Sequence, residues 1–235
     1  MKGRLFGTFE VDLDPRTPKL GGSFNPRNVK NGVAHAYDPQ LLRFVYGQLV
    51  GIRNAVLVDV GANTGSFCLL AKFLPTLRVV AFEPNPVIFE VLEENLKRNR
   101  ISGRVLAWPY ALAGRDYKRK LRLPKKGGMS GHATLGEKPC FEAGKTEAVD
   151  TFPLDAVFIR DRLDLLKVDT EGCELYVFQG AVEALRKFKP GIVYERNAKA
   201  AAQFGLKPDD ATEFLRSLGY VNFEEVGTED VWATM

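Results

Sequence analysis

The chain is poor in the residues that build metal and redox centres. Its 235 residues include three cysteines and two histidines. Cys68, Cys140 and Cys173 form no C-x-x-C pair, and no histidine follows them at zinc-ligand spacing. An odd cysteine count without framework spacing excludes a disulfide-stapled scaffold and fits a reduced, cytoplasmic compartment. No stretch approaches the roughly 18 consecutive apolar residues of a membrane span. Met1-Lys2-Gly3-Arg4 is not followed by the apolar run of a secretion signal. An excess of one charge is lacking too. With 33 basic and 29 acidic residues the net charge is +4, which permits an anionic partner without asking for one. Internal repeats and low-complexity tracts are absent, and no P-loop of the form G-x-x-x-x-G-K-[ST] occurs.

Hydrophobic residues make up 45% of the chain, enough for a sizeable core. Leu5, Phe9, Val11 and Leu13, with Thr8, Glu10 and Asp12 between them, predict a half-exposed strand. Residues 14–33, rich in Pro, Gly and Asn, predict a long loop. Asp38-Pro39 is an N-cap and first-turn pair for a helix with the stripe Leu42, Val45, Tyr46 and Leu49, stopping near Gly51. From residue 55 strands and helices alternate, as in an α/β sheet. Strands are expected at 55–60, 79–82, 105–107, 163–168 and 192–194. The first crossover helix has the face Phe67, Leu70, Ala71 and Leu74. The second opens at Asn85-Pro86, carries Ile88, Val91, Leu92 and Leu96, pairs Glu93 with Lys97 and Glu94 with Arg98, and ends toward Gly103. A third has the stripe Leu175, Phe178, Val182 and Leu185, stopped by Pro190. A fourth is capped by Asp209 or Asp210 and ended by Gly219. Residues 220–226 and 230–234 close the fold as an antiparallel pair. Residues 115–150 interrupt the alternation with a basic run at 118–123 and a glycine-rich loop at 127–131. The expectation is one α/β fold: a mostly parallel, Rossmann-like sheet with an antiparallel C-terminal strand over 53–235, capped by residues 1–52.

The densest information lies in Val58-Asp59-Val60-Gly61-Ala62-Asn63-Thr64-Gly65, a buried strand running into a glycine turn. Open parallel sheets bind ligands there, outside the carboxyl ends of the strands. A dinucleotide fingerprint would read G-x-G-x-x-G, but Asn63 replaces its second glycine and Ser66 its third. The turn therefore points to a nucleoside ligand without a pyrophosphate, and S-adenosylmethionine answers that description. Glu83 lies 22 residues beyond Gly61, where an acid holds ribose hydroxyls in nucleoside-binding α/β folds. Asp59 is expected to face the methionine ammonium, and the turn's N–H groups its carboxylate. A lone strand-end acid is as often a helix cap or a solvated loop residue. Two of them flanking such a turn make the ligand-binding reading the stronger one.

These segments, with Phe82-Glu83-Pro84-Asn85 and Leu166-Lys167-Val168-Asp169-Thr170-Glu171-Gly172-Cys173-Glu174, resemble the FkbM family of methyltransferases. The similarity runs from about Tyr37 to Tyr220 and includes the steps Ala111-Leu112-Ala113-Gly114 and Val149-Asp150-Thr151-Phe152. The Lys-Val-Asp-Thr-Glu-Gly element is its most family-specific part. The resemblance implies a seven-stranded class I methyltransferase sheet, S-adenosylmethionine as donor, and transfer to a hydroxyl of a sugar, glycolipid or polyketide. It places Asp59, Gly61, Asn63, Thr64, Gly65, Glu83, Pro84, Asn85, Ala111, Leu112 and Asp169 around the cofactor. The first 35 residues fit no part of the pattern.

An alcohol is a weak nucleophile at neutral pH, so a positioned base should help by roughly 10²–10⁴-fold. Glu171 is the candidate base, with Asp169 orienting and Glu195 as the alternative. The structural reading is that Glu171 and Glu174 are first-turn acids favoured by the helix dipole. Asp169, Glu171 and Glu174 also have a spacing that would suit a divalent ion, but family members are not generally thought metal-dependent, and no metal is expected. Ser130 and His132, in the glycine-rich loop, would line the acceptor pocket, and His35 and Tyr37 would belong to a lid. For these four a plain surface or structural role competes. Lys118, Lys120 and Arg122 would share one face of a strand, a solvated hairpin or a dock for an anionic acceptor. No aromatics interleave with that run, which disfavours nucleic acid. Cys68 and Cys173 read as structural thiols. The expected partner is a small-molecule or glycan hydroxyl. An RNA or protein methyltransferase, a catalytically silent nucleoside-binding domain and a nicotinamide oxidoreductase are the alternatives.

Overall fold

The computed structural model describes residues 1–20, 23–24, 26–114, 117–124, 133–136, 139 and 143–235. Ser130 and His132 lie outside the described residues, as do Cys140, Arg115, Lys125 and Lys126. Two N-terminal strands, β1 (Lys2–Arg4) and β2 (Glu10–Asp12), pair antiparallel. They replace the single strand expected over 5–13, because the chain turns back through Gly7 at φ +52. A short helix α1 (Thr17–Leu20), a 3-10 turn (Pro26–Asn28) and strand β3 (Val29–Lys30) occupy the expected long loop. With β4 (Val33–His35), these strands form a sheet of order β2-β1-β4-β3. Helix α2 (Pro39–Leu49) follows, and the Asp38 carboxylate accepts from the Gln40 and Leu41 N–H groups, as its cap position required.

The alternation then appears as β5 (Val56–Val60), β6 (Arg78–Phe82), α3 (Pro86–Arg98), β7 (Val105–Trp108), β8 (Ala111–Leu112), β9 (Tyr117–Pro124), β10 (Ala143–Phe152), α4 (Leu154–Val157), β11 (Leu165–Val168), α5 (Glu174–Gln179), α6 (Val182–Phe188), β12 (Gly191–Glu195), α7 (Ala198–Ala202), α8 (Asp210–Ser217), β13 (Asn222–Glu225) and β14 (Asp230–Thr234). Seven described strands make the main sheet in the order β13-β14-β12-β11-β5-β6-β7. β12, β11, β5, β6 and β7 run parallel, and β14 joins antiparallel to β12, as expected. The strand order reverses between β5 and β11, so a ligand crevice belongs outside their carboxyl ends. A separate sheet, β8-β10-β9, holds the basic strand. Among the described residues no helix is long and apolar enough to cross a membrane.

Three helices differ from expectation for local reasons. The segment 67–74 forms only a 3-10 helix, Cys68–Lys72. Helix α3 stops at Arg98 rather than toward Gly103. Arg100 takes the left-handed conformation (φ 55), and the Ile101 N–H bonds back to the Leu96 carbonyl. The stripe from Leu175 to Leu185 breaks into α5 and α6 at Gly180, where a Cβ would collide with the Ala113 carbonyl. Asp155 then caps α6, accepting from the Glu183 and Ala184 N–H groups at 2.9 Å each. One hydrophobic cluster runs from Leu5, Val11, Leu13 and Phe24 through Leu42 and Val45 into Leu57, Leu70, Leu92 and Leu96. The N-terminal segment is therefore packed on the same core that supports the first half of the sheet.

Candidate active site

The glycine turn is built where β5 ends. Gly61 (φ +74) must lack a side chain, since a Cβ would strike the Asp169 carbonyl across the switch point. Asn63 adopts φ +50, the left-handed region that Asn tolerates best after Gly. The turn's N–H groups are already engaged. Gly61 and Ala62 donate to the Phe82 carbonyl at 3.0 Å each, and Gly65 donates to Ala62 at 2.9 Å. Asn63 donates to Glu83 Oε2 at 2.9 Å, and Thr64 to Asn63 Oδ1 at 2.8 Å. The sequence reading gave these groups to a ligand carboxylate, and here they bond within the protein. The same occupancy leaves no cradle for a pyrophosphate.

Glu83 is buried, with Oε2 on the Asn63 N–H and Oε1 on the Asn85 N–H at 2.8 Å. It thereby ties the glycine turn to the start of α3, where Asn85 caps the helix by accepting from Val87. Burial pushes its carboxyl up to about 7, against the pull of those two N–H bonds. Pro84 is half-buried beside it. Trp108 accepts the Glu83 N–H at 3.1 Å, and its ring stacks with Tyr110 at 5.7 Å. That aromatic pair at the end of β7 had no signal in the motif spacing. Ala111 and Leu112 follow in β8, buried against Thr151 and Phe152 of β10.

Asp59 does not face an open crevice. It is wholly buried, faces Lys167 across the β5–β11 pairing, and receives the Cys68 thiol at 3.4 Å. Lys167 Nζ lies 3.3 Å from Asp59 Oδ1 and 3.4 Å from Asp169 Oδ2. It donates to the Gly61 carbonyl at 2.9 Å and sits 5.3 Å above the Phe67 ring. Burial disfavours its charge, but Asp169 and Asp59 outweigh that, and the ammonium is held above its ordinary range. Lys167 was not among the expected site residues, yet it joins the turn, the buried acid and the crevice-facing acid.

The segment after β11 is a second strained turn. Glu171 (φ +57) and Gly172 (φ +101) are both left-handed, and a Cβ on Gly172 would collide with the Ala200 carbonyl. Glu174 holds this turn from within. Its Oε1 accepts from the Thr170 N–H and hydroxyl and from the Gly172 N–H. Glu174 therefore serves the backbone and is not placed to ligate a cation with Asp169 and Glu171. Among the described residues no three His, Cys, Asp or Glu side chains are grouped to hold a metal ion. Thr134, beyond the glycine-rich loop, donates its hydroxyl to the Glu171 carbonyl at 3.3 Å, which brings that loop's end to the site. Cys68 and Cys173 are free and buried, and burial lifts both thiols, Cys173 to about 12.

Glu195 ends β12 beside this turn. Burial and the negative charges of Asp169, Glu171, Glu174 and Glu229 push its carboxyl well above the usual carboxylate range. That rise favours its protonated form at neutral pH. Asp230 pairs with Glu195 in register, because antiparallel β14 begins where its neighbours end. Burial, with Asp169 adding repulsion, raises Asp230 to about 7. Glu83, Asp59, Asp169, Glu195 and Asp230 thus form a row along the carboxyl edge of β6, β5, β11 and β12, which the amino end of antiparallel β14 continues. Lys167 is the only cation ion-paired with them among the described residues. Thr64 Oγ1 and Glu195 Oε2 are buried there with no hydrogen-bond partner. Such an edge fits a ligand with cationic and hydroxyl groups, and disfavours a polyanion.

Of the lid candidates, Tyr37 is 69% exposed, next to Asp38, whose carboxylate adds to the repulsion on Asp230. His35 lies in β4 opposite Arg4, inside the N-terminal sheet. On the basic strand, Arg122 is tied to the Gly136 carbonyl at 2.9 Å, while Lys120 is exposed.

The family model for the methyltransferase FkbM domain matches residues 59–221. Methyltransferase sdnD of Sordaria araneosa is 31% identical over 173 residues, covering 60% of this chain and 66% of that protein. The hexuronic acid methyltransferase AglP of Haloferax volcanii is 29% identical over 162 residues, covering 68% of this chain and 61% of that one. The chain thus spans less than two thirds of either relative. In fold it is similar to the crystal structure of methyltransferase FkbM from Methylobacillus flagellatus, with TM-score 0.53 and 18% identity over 80% of this chain and 45% of that one. By the family match over most of its length, the chain belongs to the FkbM methyltransferase domain family.

Proposed function

We propose that the protein is an S-adenosylmethionine-dependent O-methyltransferase acting on a hydroxyl of a small molecule or glycan. The observation that carries this reading is the row of five carboxylates, of which Asp59 and Glu83 are buried, with Lys167 as its single ion-paired cation among the described residues. The donor is a nucleoside bearing a sulfonium and an ammonium, and it has no phosphate to be repelled. When bound, it supplies an electrophilic methyl whose transfer needs little beyond positioning of the two partners. Glu83 would take the ribose hydroxyls on the lone pairs left over from its two backbone bonds. Asn63, Thr64, Gly65 and Pro84 would wall that side, with Asn85 fixing the turn and Ala111 and Leu112 closing it below. The Asp59–Lys167 pair would hold the Gly61 carbonyl in place, so that the turn meets the donor already shaped.

On the acceptor side, Glu171 would take the hydroxyl proton and Asp169 would orient the hydroxyl. Glu195, keeping its own proton, would donate a hydrogen bond and leave Glu171 as the acceptor of the pair. Ser130, His132, His35 and Tyr37 remain the proposed acceptor-side residues. A sugar acceptor accords with the relative named for a hexuronic acid. Nucleic acid is less well supported, since Arg122 on the basic strand is committed to a carbonyl within the protein. Calorimetric titration with S-adenosylmethionine, S-adenosylhomocysteine and NAD tests the donor, and labelled methyl transfer to sugar and polyketide alcohols tests the acceptor. Binding of the first two ligands but not NAD, with label on an alcohol oxygen, is expected. NAD binding, or label found only in RNA or protein, would overturn the reading.

A further inference from the structure

Asn95 lies wholly buried on α3, and its amide uses its full hydrogen-bonding capacity. Nδ2 donates to the Thr64 carbonyl at 2.9 Å and to Thr17 Oγ1 at 3.1 Å. Oδ1 accepts from the Asp14 N–H at 2.7 Å and from the Thr17 hydroxyl at 3.3 Å. One amide therefore clasps the glycine turn on one side and the N-terminal segment on the other. Asn99, one helical turn further on, repeats the grip on that segment. Its Oδ1 accepts from the Asp12 N–H at 2.9 Å, and its Nδ2 donates to the Asp12 carbonyl at 2.6 Å. Val11, Leu13 and Thr17 are buried beneath these bonds.

The glycine turn rests directly on this helix. A Cβ on Gly65 would meet the Leu92 side chain, so the turn follows α3 closely. Glu83 fixes the turn through the Asn63 N–H, and Asn95 fixes it through the next residue's carbonyl. Rotating the Asn95 amide to release Thr64 would strand buried partners in segment 12–17, so the two grips rise and fall together.

We propose that Asn95 is a positioning residue that couples the docking of residues 10–17 to the shape of the donor-binding turn. The N-terminal segment then governs donor affinity with no need to touch the donor. This rests on the reading of the turn as the S-adenosylmethionine site, and the test keeps the two separable. Two readouts on the full chain serve: amide hydrogen exchange over residues 61–66, and calorimetric affinity for S-adenosylhomocysteine. Thr17→Val alters only the N-terminal side of the clasp. It is expected to speed exchange in the turn and weaken affinity roughly threefold, and Asn95→Leu roughly tenfold or more, as loss of one and of several net hydrogen bonds. Leu215→Ala, a truncation in a separate hydrophobic cluster, should lower the melting temperature and change neither readout. If Thr17→Val loses stability while turn exchange and affinity stay at wild-type values, the coupling is refuted. The same follows if Leu215→Ala reproduces its effects. Should Asn95→Leu fail to fold, Thr17→Val decides alone. Should the wild type bind no S-adenosylhomocysteine, the donor reading falls while the exchange data still decide the coupling.

Discussion

Replacing Lys167 by Met would remove the cation between Asp59 and Asp169. At 3.3 Å the Asp59–Lys167 attraction is about 5 kcal/mol at an effective dielectric near 20, offset by the desolvation of both ions. The variant cannot simply lose that difference, because Asp59 has no solvent to turn to. It would take up a proton instead. Protonating an acid of pKa about 3.9 costs about 4 kcal/mol at pH 7 and about 1.5 kcal/mol at pH 5. The lost bond to the Gly61 carbonyl adds about 1 kcal/mol at either pH. Lys167→Met should therefore be destabilised by about 5 kcal/mol at neutral pH and about half that at pH 5. The sign follows from a folded-state pKa raised above the unfolded value, whose stabilisation is lost as pH rises. Asp59→Asn combined with Lys167→Met removes the stranded charge and should recover most of the neutral-pH loss. Urea denaturation followed by circular dichroism at the two pH values measures all three proteins. A single-variant deficit that does not change with pH, or a double variant no more stable than the single, would refute the account of a buried charge pair.

Other consequences follow from the same geometry. Glu171→Gln should lower turnover by roughly 10²–10⁴-fold while leaving S-adenosylhomocysteine affinity within about twofold; a fully active variant would remove Glu171 as the base. Gly61→Ala forces a methyl group against the Asp169 carbonyl at φ +74, so a loss of about 3 kcal/mol or more is expected. Normal thermal stability of that variant would show that the two strand ends separate easily. Burial raises Glu83 and Glu174 to about 7, so the ligand-free protein should be more stable near pH 5.5 than near pH 8. That stabilisation is lost between the ordinary glutamate pKa and about 7, and Glu83→Gln should flatten part of the slope in thermal melts. An unchanged slope would mean that Glu83 is solvated.

The sheet was legible because apolar runs and strand-end acids recur at βαβ intervals, and each run became a strand within a few residues. The helices were less legible where tertiary contacts decide. Nothing local marks Gly180 as a break, since its constraint is the Ala113 carbonyl, distant in sequence. Nor does sequence alone reveal that Asp155 will cap α6. At the site, spacing pointed to the glycine turn and Glu83 but gave no sign that Asp59 is wholly buried against Lys167. The missed signal was Lys167, a lysine inside the apolar run Leu165–Val168. It occupies the same penultimate position in β11 that Asp59 occupies in β5, and adjacent buried strands put those positions side by side. An acid and a base in matching places on two strands expected to be buried on both faces predict a buried pair. Asp230 was missed because only the pairing of β14 with β12 shows that its first residue lies at the carboxyl edge of the sheet.

The raised carboxylates also make a statement about the ligand's charge. Glu83 and Asp230, each near 7, are partly protonated at neutral pH because burial outweighs the pull of the Lys167 ammonium on both. A ligand that places a positive charge near the row favours their ionised forms, lowers their pKa values, and so expels protons on binding. Binding that expels protons strengthens as pH rises, by at most about tenfold per pH unit for each proton released. S-adenosylmethionine and S-adenosylhomocysteine both carry the ammonium and the ribose, but only the first carries the sulfonium. Between about pH 6 and 8, S-adenosylmethionine affinity should therefore climb more steeply than S-adenosylhomocysteine affinity. The extra protons should appear in calorimetry as a heat that varies with the ionisation enthalpy of the buffer. Parallel pH profiles for the two ligands would mean that the sulfonium does not feel the carboxylate row. The electronegative edge would then serve the ammonium or the acceptor instead.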